Sequence, residues 1–320
     1  MNAAVLRSPG ATPRCEPFPE PTASGGEALV HVRASALKPV DKQMAAGSHF
    51  ASPRDFPAVC GTDGVGRLDD GTRVFFGGAR RPYGAMAERT VVPRAFCFPV
   101  PEALDDDTAA AVANPGVSAW LCLTARAKLA AGESVLILGA TGVTGRLAVQ
   151  IAKLLGAARV IAAGRNAQAL AGLRDRGADV TIQLSRPDDQ LREEFARAAG
   201  KSGFPVIIDY LWGHPTEVLL SALTRSEFVA SAAETRLVQA GESAGPTISL
   251  PAAVLRSTAL TILGTAGIPS RDLLEDALRQ VMDRAARGEV RVEIERIPLA
   301  DIEQAWQRES PGQRRVVIIP

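Results

Sequence analysis

The sequence has almost no net charge, few histidines, scattered cysteines and no long apolar run, and each shortage removes a class of function. Lys and Arg number 36 against 35 Asp and Glu, leaving a formal charge of +1 with no basic run. Nucleic acid and anionic membrane surfaces are therefore not expected partners. Apolar stretches are broken by Gly, Arg or Lys before membrane-spanning length, and MNAAVLRSPGATPR carries no apolar signal block. Cys15, Cys60, Cys97 and Cys122 lie far apart without paired metal-ligand spacing. They fit reduced, part-buried thiols, and the expected location is the cytoplasm. Of the 3 histidines, His31 alternates in a strand, His214 opens a loop and His49 lies in a turn. No serine–histidine–acid arrangement has a supporting motif.

What is present is core-forming material. The chain is 320 residues long and 46% hydrophobic, which suggests about two domains. The first hundred residues alternate short apolar runs with Pro- and Gly-rich turns such as Ser8–Pro13, the pattern of a mostly β domain. Beyond Leu104 the rhythm becomes strand, helix, strand: Ser134–Leu138, Arg159–Ala163, Asp179–Leu184, Pro205–Asp209 and Phe228–Ala232 are the strands, with helical segments between. Right-handed parallel crossovers in a doubly wound sheet follow, an α/β fold. The tail departs again, with a helix over Leu273–Arg287, a strand Val290–Ile297, a helix near Asp301–Gln307 and a strand Arg315–Ile319. It is read as returning to the first domain, so that 1–116 and 259–320 form one domain and 117–258 another.

The segment Leu138-Gly139-Ala140-Thr141-Gly142-Val143-Thr144-Gly145 lies where a buried strand becomes a helix, the context of a dinucleotide-binding turn. Gly142 admits phosphate to the backbone amides, Gly145 lets the helix pack on the sheet, and the helix start offers N–H groups to anions. A bare Gly-rich turn with no ligand is the competing reading, weakened by the flanking β-α-β pattern. The next strand ends in Gly164-Arg165-Asn166 without an acid. An Asp or Glu there would mark NAD, whereas Arg165 suits a 2′-phosphate and Gly164 leaves room for it, so the expected cofactor is NADP(H).

These features, with Phe56–Gly66, Tyr83–Glu88, Asn114–Trp120, Val238–Gly245 and Gly312–Ile318, resemble the zinc-independent quinone oxidoreductase branch of the medium-chain dehydrogenases and reductases. The resemblance implies a GroES-like substrate domain, a Rossmann domain holding NADP(H), and a homodimer. Where zinc-dependent relatives carry ligands, this chain has Lys38, Thr62 and Asn114, so no catalytic zinc is expected. Asn114, Ser118, Tyr210, Leu211 and the segment Gly264-Thr265-Ala266 are implied to lie along the cofactor. Tyr210 and Trp212 are equally suited to walling the pocket or to packing.

The resemblance places the substrate near Lys38–Met44. Lys38 could polarise a carbonyl oxygen, or pair with Asp41 and leave protonation to water. The implied reaction is hydride transfer from NADPH to a quinone or an α,β-unsaturated carbonyl. A non-catalytic NADPH-binding protein and a carbonyl or alcohol oxidoreductase remain as alternatives.

Overall fold

The computed structural model describes residues 1–200, 203–224, 234–265, 270–308 and 314–320. It divides into two units, Met1–Val117 with Pro269–Pro320, and Ser118–Ile268. The chain first passes from one to the other within the helix Asp106–Leu121, which runs straight into a π-helical turn, Cys122–Arg126.

The first unit is built around the strand Glu27–Ala36. Its sequence, EALVHVRASA, buries Ala28, Val30, Val32 and Ala34 on one face, as period-2 alternation demands. One half pairs with Arg89–Pro93, the other with Asp63–Leu68, where a register shift between Val32 and Ala34 bends the strand. Its last residues meet the final strand of the chain, Ala36 facing Val317. Together they belong to a 7-stranded sheet, beside a smaller 3-stranded one. Helix Arg271–Ala286 is capped by the Ser270 hydroxyl, which accepts from the Leu273 amide at 3.3 Å.

Two features of the tail differ from the sequence reading. The strand expected at Val290–Ile297 begins only at Ile294, because Gly288 turns at φ 69° and Arg291 Nε donates to the Gly288 carbonyl, holding the preceding residues in a turn. The boundary expected at residue 259 falls before the strand Ala259–Gly264, which pairs in parallel with Glu234–Gln239 and completes the second unit's sheet. The strand expected at Phe228–Ala232 lies outside the described residues.

That sheet has six parallel strands. Taken in the unit's own chain order, they lie 3-2-1-4-5-6, the doubly wound arrangement in which strand order reverses beside strand 1. Strand 1 is Ser134–Leu138, whose Val135 to Leu138 are fully buried, as expected where helices cover both faces. Leu136, Leu138, Ile161, Ile207 and Leu237 meet Leu191, Phe195, Val218 and Leu219 from the helices in one cluster. No helix among the described residues is long and apolar enough to cross a membrane.

Candidate functional site

Register sets the site of the second unit. Leu138 lies level with Ala163 on one side and Asp209 on the other, Asp209 with Gln239, and Gln239 with Gly264. One row of the sheet therefore ends these strands at the same height. The turns carrying Gly139–Gly145, Gly164–Asn166, Tyr210–Trp212 and Thr265 all leave from that carboxyl edge, where open α/β sheets bind ligands. Ala266 lies outside the described residues.

The helix Val143–Leu154 starts from Gly142. The Ala140 amide donates to the Ala163 carbonyl at 2.9 Å and the Gly142 amide to the Gly139 carbonyl at 3.1 Å. The amides of Val143 and Thr144 have no acceptor among the described residues. They stand at the positive end of the helix, ready for an anion. A Cβ on Gly145 would lie 2.3 Å from the Gly139 carbonyl oxygen and 2.6 Å from Ala140 Cα, so this glycine is demanded by the loop's own backbone. Gly142 differs. A Cβ there would meet only the Gly139 oxygen, at 3.4 Å, an ordinary contact. Nothing among the described residues requires the missing side chain at Gly142.

Arg165 is exposed at the tip of the next turn, and no protein group among the described residues pairs with its guanidinium. Asn166 caps the following helix, its Oδ1 accepting from the Ala169 amide at 2.9 Å. Gly164 corrects the sequence reading. The space over it is filled by Thr141, whose Cγ2 would stand 2.6 Å from an added Cβ. The glycine seats the loop on the strand end and does not make room for phosphate.

Asp209, in sequence no more than a strand end, shapes the neighbouring turn. Its Oδ1 accepts from the amides of Leu211 and Trp212 at 2.8 and 2.9 Å, and Thr216 Oγ1 donates to Oδ2 at 2.6 Å. Burial pushes its carboxyl above the ordinary range, and these three donors pull it back. The turn presses Tyr210 and Leu211 against Gly139, within 3.2 Å of where a Cβ would be. Trp212 packs onto the unit's core. The Tyr210 hydroxyl is buried without a partner among the described residues, and burial, then the neighbouring Cys122, drives its pKa up. Burial pushes the Cys122 thiol up to about 11, against a smaller lowering by the nearby Ser118 side chain. Two free amides, a glycine with only an ordinary contact in its side-chain space and an unpaired arginine thus stand along one sheet edge among the described residues.

In the first unit, Lys38, Thr62 and Asn114 do converge, on a residue the sequence reading passed over. Lys38 Nζ lies 3.0 Å from Asp63 Oδ1, Thr62 Oγ1 3.2 Å and Asn114 Nδ2 3.1 Å from Asp63 Oδ2. Lys38 Nζ also donates to the Ala36 carbonyl at 2.8 Å and faces Asp41 Oδ2 at 3.4 Å. Asp41 closes the start of helix Pro39–Ala46, accepting from the Lys38 amide at 2.8 Å, and receives the Thr62 amide at 3.0 Å. Burial, the largest cause, raises the Asp63 carboxyl, Lys38 lowers it and Asp41 raises it again. Arg315 is buried beside them, its Nη1 donating to the Leu37 carbonyl at 2.9 Å while Nε finds no partner among the described residues. Cys60 is buried beside this network, its thiol pushed up to about 12 by burial first and then by the neighbouring Asp41. An amine, a hydroxyl and an amide gathered on a carboxylate do not make a zinc site.

His31 pairs with Asp69 at 3.0 Å and His214 with Asp188 at 2.9 Å, both at the surface. His49 stacks on Phe50 with ring centroids 4.3 Å apart. Tyr83 reaches the Glu20 carbonyl at 3.3 Å, a packing role.

The fold is shared with known proteins. A family model described as zinc-binding dehydrogenase matches residues 143–284. A probable NADPH-dependent quinone reductase of Emericella nidulans is 28% identical over 68% of this chain and 63% of its own. A quinone oxidoreductase of Pongo abelii is 28% identical over 58% of this chain and 57% of its own. The chain thus spans less than two thirds of these relatives. Among solved structures, the quinone oxidoreductase of Thermus thermophilus, also determined with NADPH, is 30% identical with a TM-score of 0.81 over the whole of both chains. A mycobacterial quinone oxidoreductase superposes with a TM-score of 0.84 at 23% identity, a likeness of fold.

Proposed function

Because the chain belongs to the quinone reductase branch of the medium-chain dehydrogenase/reductase superfamily, we propose that it is an NADPH-dependent reductase of quinones, and of activated double bonds in α,β-unsaturated carbonyls, working without zinc. The carboxyl edge of the second unit carries the reading. Val143 and Thr144 amides would hold the pyrophosphate against Gly142, Arg165 would take the 2′-phosphate, and Ser118, Tyr210, Leu211, Gly264 and Thr265 would line the rest.

When bound, the dinucleotide supplies a hydride to an electron-poor carbon or a quinone oxygen. The protein's part is to hold and orient the partners. Lys38 and Asp41, put forward from sequence as catalytic groups, are buried and spend their hydrogen bonds on each other, on Asp63 and on backbone. They leave protonation of the reduced acceptor to water. An alcohol would need a group that lowers its pKa, such as a metal, and the Lys38 cluster offers none.

The test is anaerobic NADPH oxidation with p-quinones, enones and saturated ketones, followed by elemental analysis of the active enzyme. Quinones should turn over fastest and chelators should change nothing. Tight NADPH binding with no acceptor turned over would favour a non-catalytic role, and one firmly held zinc per chain would sink the metal-free mechanism.

We extend the proposal to assembly as a homodimer. Among the described residues, strand Ala259–Gly264 is an edge strand of apolar sequence, with Ile262 38% exposed, and Leu255 on the adjacent helix is 50% exposed. An apolar edge of this kind invites strand pairing with a second copy. Sedimentation should give a dimer, and Ile262→Lys a monomer. A monomeric parent protein removes this part of the reading.

A further inference from the structure

The charged cluster of the first unit is closed on itself. Lys38, Asp41, Asp63 and Arg315 are all 4% exposed or less. Buried charges are tolerated only when paired and hydrogen-bonded, and here two cations meet two carboxylates. The two cations are not equivalent. Among the described residues Arg315 forms no ion pair within bonding distance and reaches the chain through the Leu37 carbonyl. Lys38 Nζ sits among three oxygens, Ala36 O at 2.8 Å, Asp63 Oδ1 at 3.0 Å and Asp41 Oδ2 at 3.4 Å.

The remaining carboxylate oxygens show what this arrangement holds. Asp41 Oδ1 accepts from the Thr62 amide, and Asp63 Oδ2 from Asn114 Nδ2 and the Thr62 hydroxyl. The loop at Thr62, the helix carrying Asn114 and the start of helix Pro39–Ala46 are thus tied through two carboxylates that would repel without the ammonium between them. Three hard oxygens around one positive group are the donor set of a cation site.

We infer that this is a cation-binding site whose resident ion is the tethered ammonium of Lys38, and that without the tether it takes a free primary alkylammonium. The family description of a zinc-binding dehydrogenase does not extend to this site, since the match at 143–284 includes none of these residues. The donor set is all oxygen, and a cation already fills it.

Lys38→Ala removes the equivalent of n-propylammonium. Its Tm should fall by roughly 5–10 °C, as expected for an orphaned buried charge. Added n-propylammonium should recover most of that loss, whereas sodium chloride at equal ionic strength and propan-1-ol should not. Recovery by propan-1-ol to the same extent would show that only volume mattered and would overturn the inference, as would no recovery by the amine. Should Lys38→Ala fail to fold, Lys38→Met decides. It fills the space without charge, so Asp63→Asn, which removes the unpaired carboxylate, should raise the Tm of Lys38→Met while lowering that of the parent. Equal losses in both backgrounds mean that the ammonium is not the partner of Asp63, and the inference fails.

Discussion

Replacing Arg165 by alanine should weaken NADPH binding by about 10- to 150-fold, the range for losing a hydrogen bond to a charged group, and leave NADH nearly untouched. The arginine stands exposed at the end of the strand Arg159–Gly164 with no protein partner among the described residues. No fold-stabilising contact is lost with it, so Tm should not move. NADH lacks the 2′-phosphate and should lose only stacking of the guanidinium on adenine. Arg165→Asp should go further, because a carboxylate repels the phosphate and can accept from the free ribose hydroxyls of NADH. Cofactor preference should narrow in the first variant and move toward NADH in the second. Calorimetric titration of both dinucleotides checks this. Equal weakening of both would make Arg165 a general adenine platform, and no change in either would remove the NADP assignment.

Gly145→Ala should damage binding of both dinucleotides together. Its Cβ would have to enter a space 2.3 Å from the Gly139 oxygen and 2.6 Å from Ala140 Cα, both backbone atoms that cannot rotate aside. The loop must move off the strand end. A displacement of about 1 Å in a positioning element can cost roughly 100-fold in rate, so kcat/KM for either cofactor should drop by about that factor. Overpacking should cost about 1–3 kcal/mol of stability as well. Gly142→Ala is the matched control. Its Cβ makes only an ordinary contact at 3.4 Å, so stability should hold while nucleotide affinity falls. If Gly142→Ala binds both dinucleotides as the parent does, the phosphate does not lie on this turn.

The second unit is largely legible in the sequence because its signals are local. An unbroken SVLIL run, a Gly-rich turn and an amphipathic helix are neighbours in sequence and remain so in the fold. The first unit's cluster is not legible, because its partners are remote. Asp63 is 25 residues from Lys38 and 51 from Asn114, and Arg315 is 278 from the carbonyl it holds. Lys38 and Asp41 stand out in the sequence, yet nothing local says that Asp63 stands between Lys38 and Asn114. Gly164 misleads for a related reason. Small size at that position is legible, but which neighbour uses the space is not, and it is Thr141. The boundary at 259 is misplaced because one more strand carries the second unit's rhythm onward.

The pairing of Ala36 with Val317 carries a consequence for the order of biosynthesis. A ribosome delivers strand Glu27–Ala36 well before Arg315–Ile319, so this edge stays open while everything between the two strands is made. The contiguous stretch Ser118–Ile268 has no such wait, since the strands it pairs are all its own. The middle of the polypeptide can therefore fold while the beginning stands incomplete, and closing the first unit is a late, long-range step of the kind that leaves nascent chains exposed to misassembly. Until Arg315 arrives, Lys38 is the only cation of the buried cluster, facing Asp41 and Asp63 alone.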